Sequence, residues 1–499
     1  MPDATTQDDD YPLPQSDRLQ ILTPEEYELL WGLPQFSDSD RAIYFQLTPR
    51  DEGVLSRLRT PRSKAHFLLQ LGYFRARQRF FQLDTDQVHD DLSYVCRQYL
   101  DNAHITDLAV SLHTRFQHFG WITELFGYRM FARDDRVVLE QRALDAARIS
   151  SRPLYVLRDL IDRLRQQRIV LPGYTYLQDV VRRALSFERN RLSETLAASM
   201  THDDKKLLDR LLRDDDGLHA VTAIKHHPRD FSHKQIITEI ERGEQLLGLY
   251  QVAVRIITDT DLSVESVRFY ASLVDYYTVY KLKRMNRTMT RLYLLCFVRD
   301  RYQRLNDHLI SAFCALVRRY TDEVNERAKD AYYQHRRQAN EDIDQGAKVL
   351  FLFVDPKVPD NRPFGDVRAQ AETMLPSDRI ARLCEHLSGN NDFDEGQFEW
   401  QAVDAIMAKV KRNLRPLIRF LSWSATPAYA RLLDVVQAMS DAFSAGKQLP
   451  DSAIDPVLVP DRHRRYIFST EATHRFRYEF LVYRQLRDRI EAGDVFCTQ

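Results

Sequence analysis

The sequence predicts a predominantly all-α protein that contains several helical domains. Apolar residues recur at helical spacing along most of the 499 residues. Residues 349–354 form the one convincing strand candidate, which predicts a minor strand at that position. No repeat of fixed period is present, which argues against a regular solenoid. At about 150 residues per domain, the length predicts roughly three domains.

Residues 152–200 show the pattern of two helices joined by a turn. Apolar residues recur at helical spacing on both sides of Leu171-Pro172-Gly173. This tripeptide interrupts the helical pattern, because proline lacks an amide donor and glycine tolerates positive φ. We expect Thr175 to cap the second helix. The face of this helix opposite its apolar residues carries side chains of the types that read base edges and phosphates, as in a helix-turn-helix. These residues are Thr175, Asp179, Arg182, Arg183 and Ser186, with Gln178 at the edge. The alternative interpretation is a solvated face on an ordinary helical hairpin.

A basic segment with interleaved aromatic residues closes the first helical unit. The string Thr60-Pro61-Arg62-Ser63 predicts the start of a helix, and Arg75, Arg77 and Arg79 follow its apolar positions. Arginines mixed with aromatic side chains suit contact with a nucleic-acid backbone. A helix C-terminus stabilised by cations explains the pattern equally well.

The longest helical pattern covers residues 264–328 and predicts two or three helices. Within it Lys283, Arg287 and Arg291 recur at every fourth position, with Arg284 beside them, and no acid interrupts residues 281–291. Such a face can follow a phosphate backbone, each contact adding about one unit to the salt dependence of binding. A solvated face opposite an acidic helix is the alternative.

Composition excludes several classes of protein. The chain has 71 Lys+Arg and 72 Asp+Glu, a formal net charge of -1, so any basic surface is local. Its five cysteines lie far apart with no C-x-x-C pair, which argues against a disulfide framework or a zinc site. The N-terminus lacks the features of a signal peptide, and the strongest apolar run is too short to cross a bilayer. We expect a cytoplasmic protein with no membrane partner.

The sequence carries no recognisable catalytic motif. It has neither a phosphate-binding glycine loop nor a zinc-protease or hydrolase signature. Asp355, directly after the predicted strand, is the best single candidate for metal-dependent chemistry, although capping the strand and starting a turn is the favoured interpretation. His226 and His227 have no cysteine or carboxylate at ligand spacing. We therefore expect no catalytic residue and no metal ligand.

Five sets of residues in this chain match those of a known family. They are Leu22-Thr23-Pro24-Glu25-Glu26, Gln70-Leu71-Gly72-Tyr73-Phe74, Ile169-Val170-Leu171-Pro172-Gly173, the basic residues 283–291 with Leu305-Asn306-Asp307-His308-Leu309-Ile310, and Tyr478-Glu479 with Leu486-Arg487-Asp488-Arg489-Ile490-Glu491-Ala492-Gly493-Asp494-Val495. Together they resemble the N-terminal half of the Tn-three family of replicative transposases. The last set is the most specific, because family members carry a similar Leu-Arg and Gly-Asp segment shortly before the catalytic region.

The resemblance implies helical DNA-binding domains that recognise the terminal inverted repeats of a transposon, the first two being helix-turn-helix-like. It also implies a linker and dimerisation region, and then an RNase-H-like domain whose three acidic residues bind two divalent metals such as Mg²⁺. The family's first catalytic aspartate lies in an Asp-Thr-Gly-Gly-like motif. The nearest string here, Thr258-Asp259-Thr260-Asp261, lacks the glycines and lies too early. The resemblance therefore transfers no catalytic residue and no cofactor, and we expect the chain to end before the catalytic domain and to be inactive alone.

These observations predict six segments. They are a disordered tail at 1–18, a first DNA-binding helical domain at 19–145, a helix-turn-helix-like second DNA-binding domain at 146–215, a long-helix domain with a basic face at 216–337, a junction at 338–400, and a helical region at 401–499 that leads to the missing catalytic domain.

The leading hypothesis is a bacterial, nucleoid-associated protein that binds double-stranded DNA at transposon ends. We expect base reading by Thr175, Gln178, Arg182 and Arg183, contacts of the first domain by Arg62, Lys64, Arg75, Arg77 and Arg79, and backbone contacts by Lys283, Arg284, Arg287 and Arg291. Such a chain, existing alone, would occupy the repeats without cutting them. The alternatives are one half of a split transposase that is completed in trans, and a helical interaction protein or transposase remnant without DNA affinity. The protein partners that we expect are a transposase C-terminal half or a second copy of this chain in a homodimer.

Overall fold

The computed structural model describes residues 19–215, 218–226, 228, 230–359, 361–388, 394–469 and 473–497. The predicted tail at residues 1–18 lies outside the described residues. Up to residue 225 the helices are α1 (Pro24–Trp31), α2 (Asp38–Tyr44), α3 (Pro49–Leu55), α4 (Pro61–Arg77), α5 (His89–Tyr99), α6 (Leu112–Phe126), α7 (Arg133–Ile149), α8 (Pro153–Gln166), α9 (Tyr174–Ser199), α10 (His202–Arg210) and α11 (Ala220–Lys225). Beyond it they are α12 (His233–Thr260), α13 (Val264–Tyr276), α14 (Val279–Arg284), α15 (Arg287–Phe351), α16 (Phe364–Met374), α17 (Ser377–Leu387), α18 (Glu395–Phe420), α19 (Ala430–Ser444), α20 (Asp461–Ile467) and α21 (Arg475–Glu491).

The strands that the structure describes form two small antiparallel pairs. They are β1 (Asp214–Asp215) with β2 (Leu218–His219), and β3 (Trp423–Ala425) with β4 (Val495–Cys497). The prediction of a predominantly all-α fold is confirmed.

The predicted strand at residues 349–354 is wrong. Helix α15 continues to Phe351 and a turn follows. A short apolar run has the same composition in a buried strand and in a helix, so periodicity cannot separate the two. Here the run ends a helix of 65 residues. Asp355 therefore follows a turn, where its carboxylate accepts a hydrogen bond from the Lys357 amide at 2.9 Å.

The chain forms two compact units. The first comprises the described residues of Met1–Val221 and Gln251–Asp300, and the second comprises the described residues of Thr222–Tyr250 and Arg301–Gln499. Helices α12 and α15 contribute residues to both units.

The first hydrophobic core of the first unit is organised around α4. Thr60 caps this helix, its side chain accepting from the Ser63 amide at 3.2 Å, as the sequence predicts. All residues from 65 to 74 are buried, and they pack with residues of α3, α5 and α6. Gly72 lets the Phe45 ring approach so closely that a Cβ would lie 2.2 Å from it. Helix α4 is thus the central element of this core.

Two buried histidines pair between α4 and α6. Nδ1 of His66 lies 3.0 Å from Nδ1 of His118, and Nε2 of His118 lies 3.1 Å from the Ser63 hydroxyl. The pKa of each ring is lowered to about 4, for His118 by burial and for His66 by burial first and then by the neighbouring His118 and Arg115. The native pair is therefore neutral at physiological pH.

This pair makes the stability of the first core depend on pH. An unfolded histidine titrates near pH 6.5, so the stabilising contribution of the neutral pair is complete above that pH and is lost as the pH falls through the folded pKa. Each ring should remove about 1.4 kcal/mol per pH unit between about pH 6.5 and 4. Urea unfolding, followed by proteolysis within α4 and α6, measures this slope. In His66→Gln the slope should fall by about half, whereas a flat profile from about pH 7 to 5 contradicts the expectation.

The second core of the first unit joins α1 with α7, α8 and α9. Leu22 and Trp31 are buried in it together with Leu157, Leu160 and Leu177. The Tyr174 hydroxyl accepts hydrogen bonds from the Leu22 amide at 3.1 Å and the Ile21 amide at 3.3 Å. The segment around Leu22, which the predicted boundaries assign to the first domain, thus packs against the helical hairpin of the second.

The second unit has a core formed by α15, α18, α19, α20 and α21. Trp400 and Tyr478 are fully buried within it. A buried ion pair lies elsewhere in this unit, where the Arg301 guanidinium donates to the Glu239 carboxylate at 3.2 Å and to the carbonyl oxygens of Ile224 and His226. These contacts give the buried charge its partners, as burial of an ion requires.

Candidate nucleic-acid interface

The predicted helical hairpin is present as α8, a turn and α9. Helix α8 ends at Gln166, Arg168 adopts a left-handed conformation with φ 52°, and α9 begins at Tyr174. The prediction that Thr175 caps α9 is wrong. Gly173 occupies the N-cap position without a side-chain hydrogen bond, and the helix starts two residues earlier than a Thr175 cap requires. Thr175 lies inside the first turn and is exposed.

The turn is attached on both sides to other elements of the first unit. The Val170 amide donates to the Arg129 carbonyl at 2.9 Å, and the Arg129 amide donates to the Arg168 carbonyl at 3.0 Å. The Trp31 indole donates to the Pro172 carbonyl at 3.2 Å. These hydrogen bonds attach the turn to the segments around Arg129 and Trp31, and one face of α9 remains exposed to solvent.

The two faces of α9 follow the sequence pattern. Leu177, Val180 and Val181 are at most 1% exposed, which confirms the predicted apolar face. The opposite face carries the recognition surface, which we define as Thr175, Arg182, Arg183 and Ser186, all exposed. The side chains of Arg182 and Arg183 are 48% and 55% exposed.

Gln178 is the predicted base-reading residue that the structure places elsewhere. Its side-chain amide is half-buried and donates to the Leu19 carbonyl at 3.1 Å. This hydrogen bond joins the segment before α1 to α9, so Gln178 does not belong to the recognition surface.

The cations of the recognition surface form exposed ion pairs, and Arg183 Nε also donates to the Asp179 carbonyl at 3.4 Å. Arg182 Nε lies 3.7 Å from an Asp179 oxygen, and Arg183 Nη2 lies 2.8 Å from a Glu140 oxygen. Exposed pairs contribute about 0–1 kcal/mol. Exchanging either carboxylate for a phosphate oxygen therefore costs little.

Two residues next to this surface were not among the predicted contacts. Phe187 lies one turn beyond Arg183 and is 55% exposed. Arg136 of α7 lies over the Tyr176 ring, 5.8 Å from its centroid. Helical periodicity places Phe187 at the border of the apolar face, and no local pattern connects Arg136 to α9.

The five predicted contacts of the first domain do not lie together. Arg62 and Lys64 are in the first turn of α4, and Arg75 and Arg77 are in its last turn, about 20 Å away at 1.5 Å per residue. Arg62 is exposed and lies 3.4 Å from an Asp107 oxygen. They form two separate groups of cations.

The arginines at the end of α4 are engaged with the fold. Arg75 donates to the Asp51 carboxylate at 2.6 Å and to the carbonyl oxygens of Tyr44 and Gln46. Arg79 donates to the Trp31 carbonyl at 2.9 Å, and burial lowers its pKa. Arg77 is half-buried. Arg75 and Arg79 therefore have structural partners at the positions where the sequence predicts DNA contacts.

A second basic site lies at residues 283–291, where the sequence predicts one basic helical face. A helix boundary interrupts that face, since α14 ends at Arg284 and α15 begins at Arg287. The Asn286 side chain caps α15 by accepting from the amides of Thr288 at 3.0 Å and Met289 at 3.2 Å. The Thr290 hydroxyl donates to the Leu282 carbonyl at 3.0 Å. This bond ties α14 to the first turn of α15, and residues 264–328 lie on three helices, as predicted.

A cavity of about 610 Å³ opens between α10, α14 and α15. We call it the α14–α15 cavity, and its lining residues are Asp209, Leu212, Arg213, Leu282, Lys283, Arg287, Thr290 and Arg291. It contains three of the four predicted backbone contacts despite the break. The fourth, Arg284, is exposed and lies over the Tyr280 ring, 5.3 Å from its centroid.

One ion pair organises the charges in the cavity. Arg291 grips the Asp209 carboxylate with two hydrogen bonds of 3.0 and 2.8 Å. These bonds hold the pKa of Asp209 below its usual range, with help from the positive charges of Arg287 and Arg213, and they raise the pKa of Arg291. The sequence pattern did not reveal Asp209 and Arg213 because they lie about 70–80 residues before α15.

In the part of the chain that the structure describes, no helix is long and apolar enough to cross a membrane. No group of three or more potential metal ligands lies together among the same residues.

The chain is similar to transposases. The transposase for transposon Tn1546 of Enterococcus faecium is 21% identical over 496 residues, which cover 95% of this chain and 48% of that protein. The transposase for transposon Tn501 of Pseudomonas aeruginosa is 20% identical and covers 96% of this chain. The transposase for transposon gamma-delta of Escherichia coli (strain K12) is 22% identical and covers 92%. This chain spans about half the length of each of these relatives.

A family model described as a domain of unknown function, DUF4158, matches residues 21–184. The matched residues include α1 to α8 and the first part of α9, and so both cores described above for the first unit. This similarity confirms that the chain resembles transposases.

Proposed function

We propose that this chain binds double-stranded DNA at the terminal inverted repeats of a transposon and takes part in DNA transposition. The observation that carries the proposal is the exposed pair Arg182 and Arg183 on α9, in a chain similar to transposases along more than nine-tenths of its length. Arginine offers a planar fork that binds guanine or phosphate with two hydrogen bonds. In this proposal α9 enters the major groove and the protein works in the bacterial cytoplasm, at the nucleoid.

Three features of the fold support this role for α9. Its buried face is packed against α7 and α8, so the exposed face is presented by a rigid element. The ion-pair partners of Arg182 and Arg183 are exposed. The turn before it is fixed by bonds to Arg129 and Trp31.

The test is a fluorescence-anisotropy titration of the full chain with its own element's terminal repeat and with a scrambled duplex, each at two salt concentrations. We expect the repeat to bind at least about 10³-fold more tightly. Equal binding to both duplexes that disappears with salt would leave only a basic surface. Absence of binding to either duplex would exclude DNA recognition by this chain and favour a remnant that functions through protein contacts.

A further inference from the structure

We propose that the α14–α15 cavity is a binding site for a backbone phosphate of duplex DNA, and that it contributes affinity without contributing sequence preference. The inference rests on the proposed function and assigns a second, separate task within it. The recognition surface on α9 would select the site, and the cavity would hold the sugar-phosphate strand wherever the protein lies on DNA.

The charge of the cavity favours an anion. Four cationic side chains line it, and Asp209 is the one acid among its lining residues. Lys283 and Arg287 are exposed and form no ion pair within the described residues. The cavity thus has a net positive charge of about three at neutral pH. A phosphate oxygen can reach Lys283 and Arg287 without displacing an internal partner.

The geometry around Arg291 shows how an oxyanion is held there. Asp209 already takes both arms of the Arg291 fork, which is the arrangement that carboxylate and phosphate share. The pair keeps a half-buried guanidinium directed into the cavity, where it acts as a positioning group. Leu212 and Leu282 supply an apolar part of the lining, which reduces the competition from water for each charged contact.

The surroundings favour a nucleic-acid strand over a small free anion. The volume of about 610 Å³ lies in the range of sites for whole ligands. Tyr276 and Tyr280, on the helices that lead into the cavity, are 70% and 69% exposed. Large exposed aromatic rings beside cations are typical of surfaces that contact sugars and bases. Because Asn286 already occupies the first amides of α15, the ligand would be held by side chains.

The decisive variant is the double exchange Lys283→Ala with Arg287→Ala in the full chain. We expect the slope of log K against log salt to fall by about two for the terminal repeat and for the scrambled duplex alike. The ratio of the two affinities should stay unchanged. The matched control is Lys281→Ala, because Lys281 lies on the same short helix, 4.4 Å from the Tyr277 ring centroid, and does not line the cavity.

A gain of binding separates the proposal from a folding defect. Asp209→Asn removes the one carboxylate of the lining and should steepen the salt slope by up to about one while tightening binding to both duplexes. A misfolded variant cannot produce this result. Weaker binding of Asp209→Asn, or an unchanged slope in the double variant, would overturn the proposal.

A free-anion site is tested with inorganic phosphate by calorimetry in the absence of DNA. Phosphate binding that Arg287→Ala abolishes, together with unchanged salt slopes for DNA, would assign the cavity to a small anion and overturn the proposal. Failure of the proposed function looks different, because the unaltered chain would then bind both duplexes equally or not at all.

Discussion

Exchanging both Arg182 and Arg183 for alanine should remove most of the preference for the terminal repeat and leave the fold intact. A well-placed arginine contributes about 1–3 kcal/mol of discrimination between bases, so each exchange should lower the affinity ratio of repeat to scrambled duplex by roughly tenfold. Stability should change little, since both side chains are about half exposed and their carboxylate partners are exposed as well. Anisotropy titrations of both duplexes and a thermal unfolding curve measure the two effects.

Arg158→Ala is the matched control for this double variant. Arg158 lies on α8 of the same hairpin, is 65% exposed, and pairs with Glu26 at 3.5 Å. The Arg158→Ala exchange removes an exposed cation and leaves the side chains of α9 unchanged. If the control loses as much selectivity as the double variant, or the double variant keeps its selectivity, then α9 does not read the repeat.

Arg75→Ala should destabilise the first core by about 3–5 kcal/mol. The exchange leaves the Asp51 carboxylate, whose side chain is only 3% exposed, without its counter-ion. It also leaves the carbonyl oxygens of Tyr44 and Gln46 without their donor. Urea unfolding measures the loss. Among molecules that remain folded, the salt slope for DNA should match that of the unaltered chain.

The comparison for Arg75 is Arg62→Ala, at the other end of α4. Arg62 is about half exposed and lies 3.4 Å from Asp107, so its removal should change stability by no more than about 1 kcal/mol. A stable Arg75→Ala protein whose salt slope falls by about one would show that Arg75 contacts DNA, as the sequence suggests.

Local sequence patterns predicted the elements well because each depends on neighbours along the chain. The apolar spacing of α9 predicted both its buried face and the exposure of Arg182 and Arg183. Thr60 predicted the start of α4, since a capping side chain needs only the amide three residues later. The run at residues 349–354 failed because its composition fits a helix and a strand equally, and only the continuation of α15 decides between them.

Partners that lie far apart in the chain could not be predicted in this way. The sequence indicates that Gln178 reads bases, but in the structure its side-chain amide donates to the Leu19 carbonyl. It likewise indicates that Arg75 contacts phosphate, but in the structure Arg75 pairs with Asp51. Each depends on a residue with no periodic relation to it.

The sequence by itself determined the helical class, the hairpin at α8 and α9, and the three groups of candidate DNA-contacting cations, because helical periodicity and charge are local properties. Only the tertiary structure decided which of those cations are available. It pairs Arg75 with the buried Asp51 carboxylate, and it places the Gln178 amide against the Leu19 carbonyl. The tertiary structure also places Asp209 and Arg213, from the end of α10 and the residues after it, beside the break between α14 and α15. Together with Lys283, Arg287 and Arg291, which periodicity places on one helical face, they line the α14–α15 cavity. The physical reason is that ion pairs and cavities form between side chains adjacent in space, which a pattern along one chain does not contain.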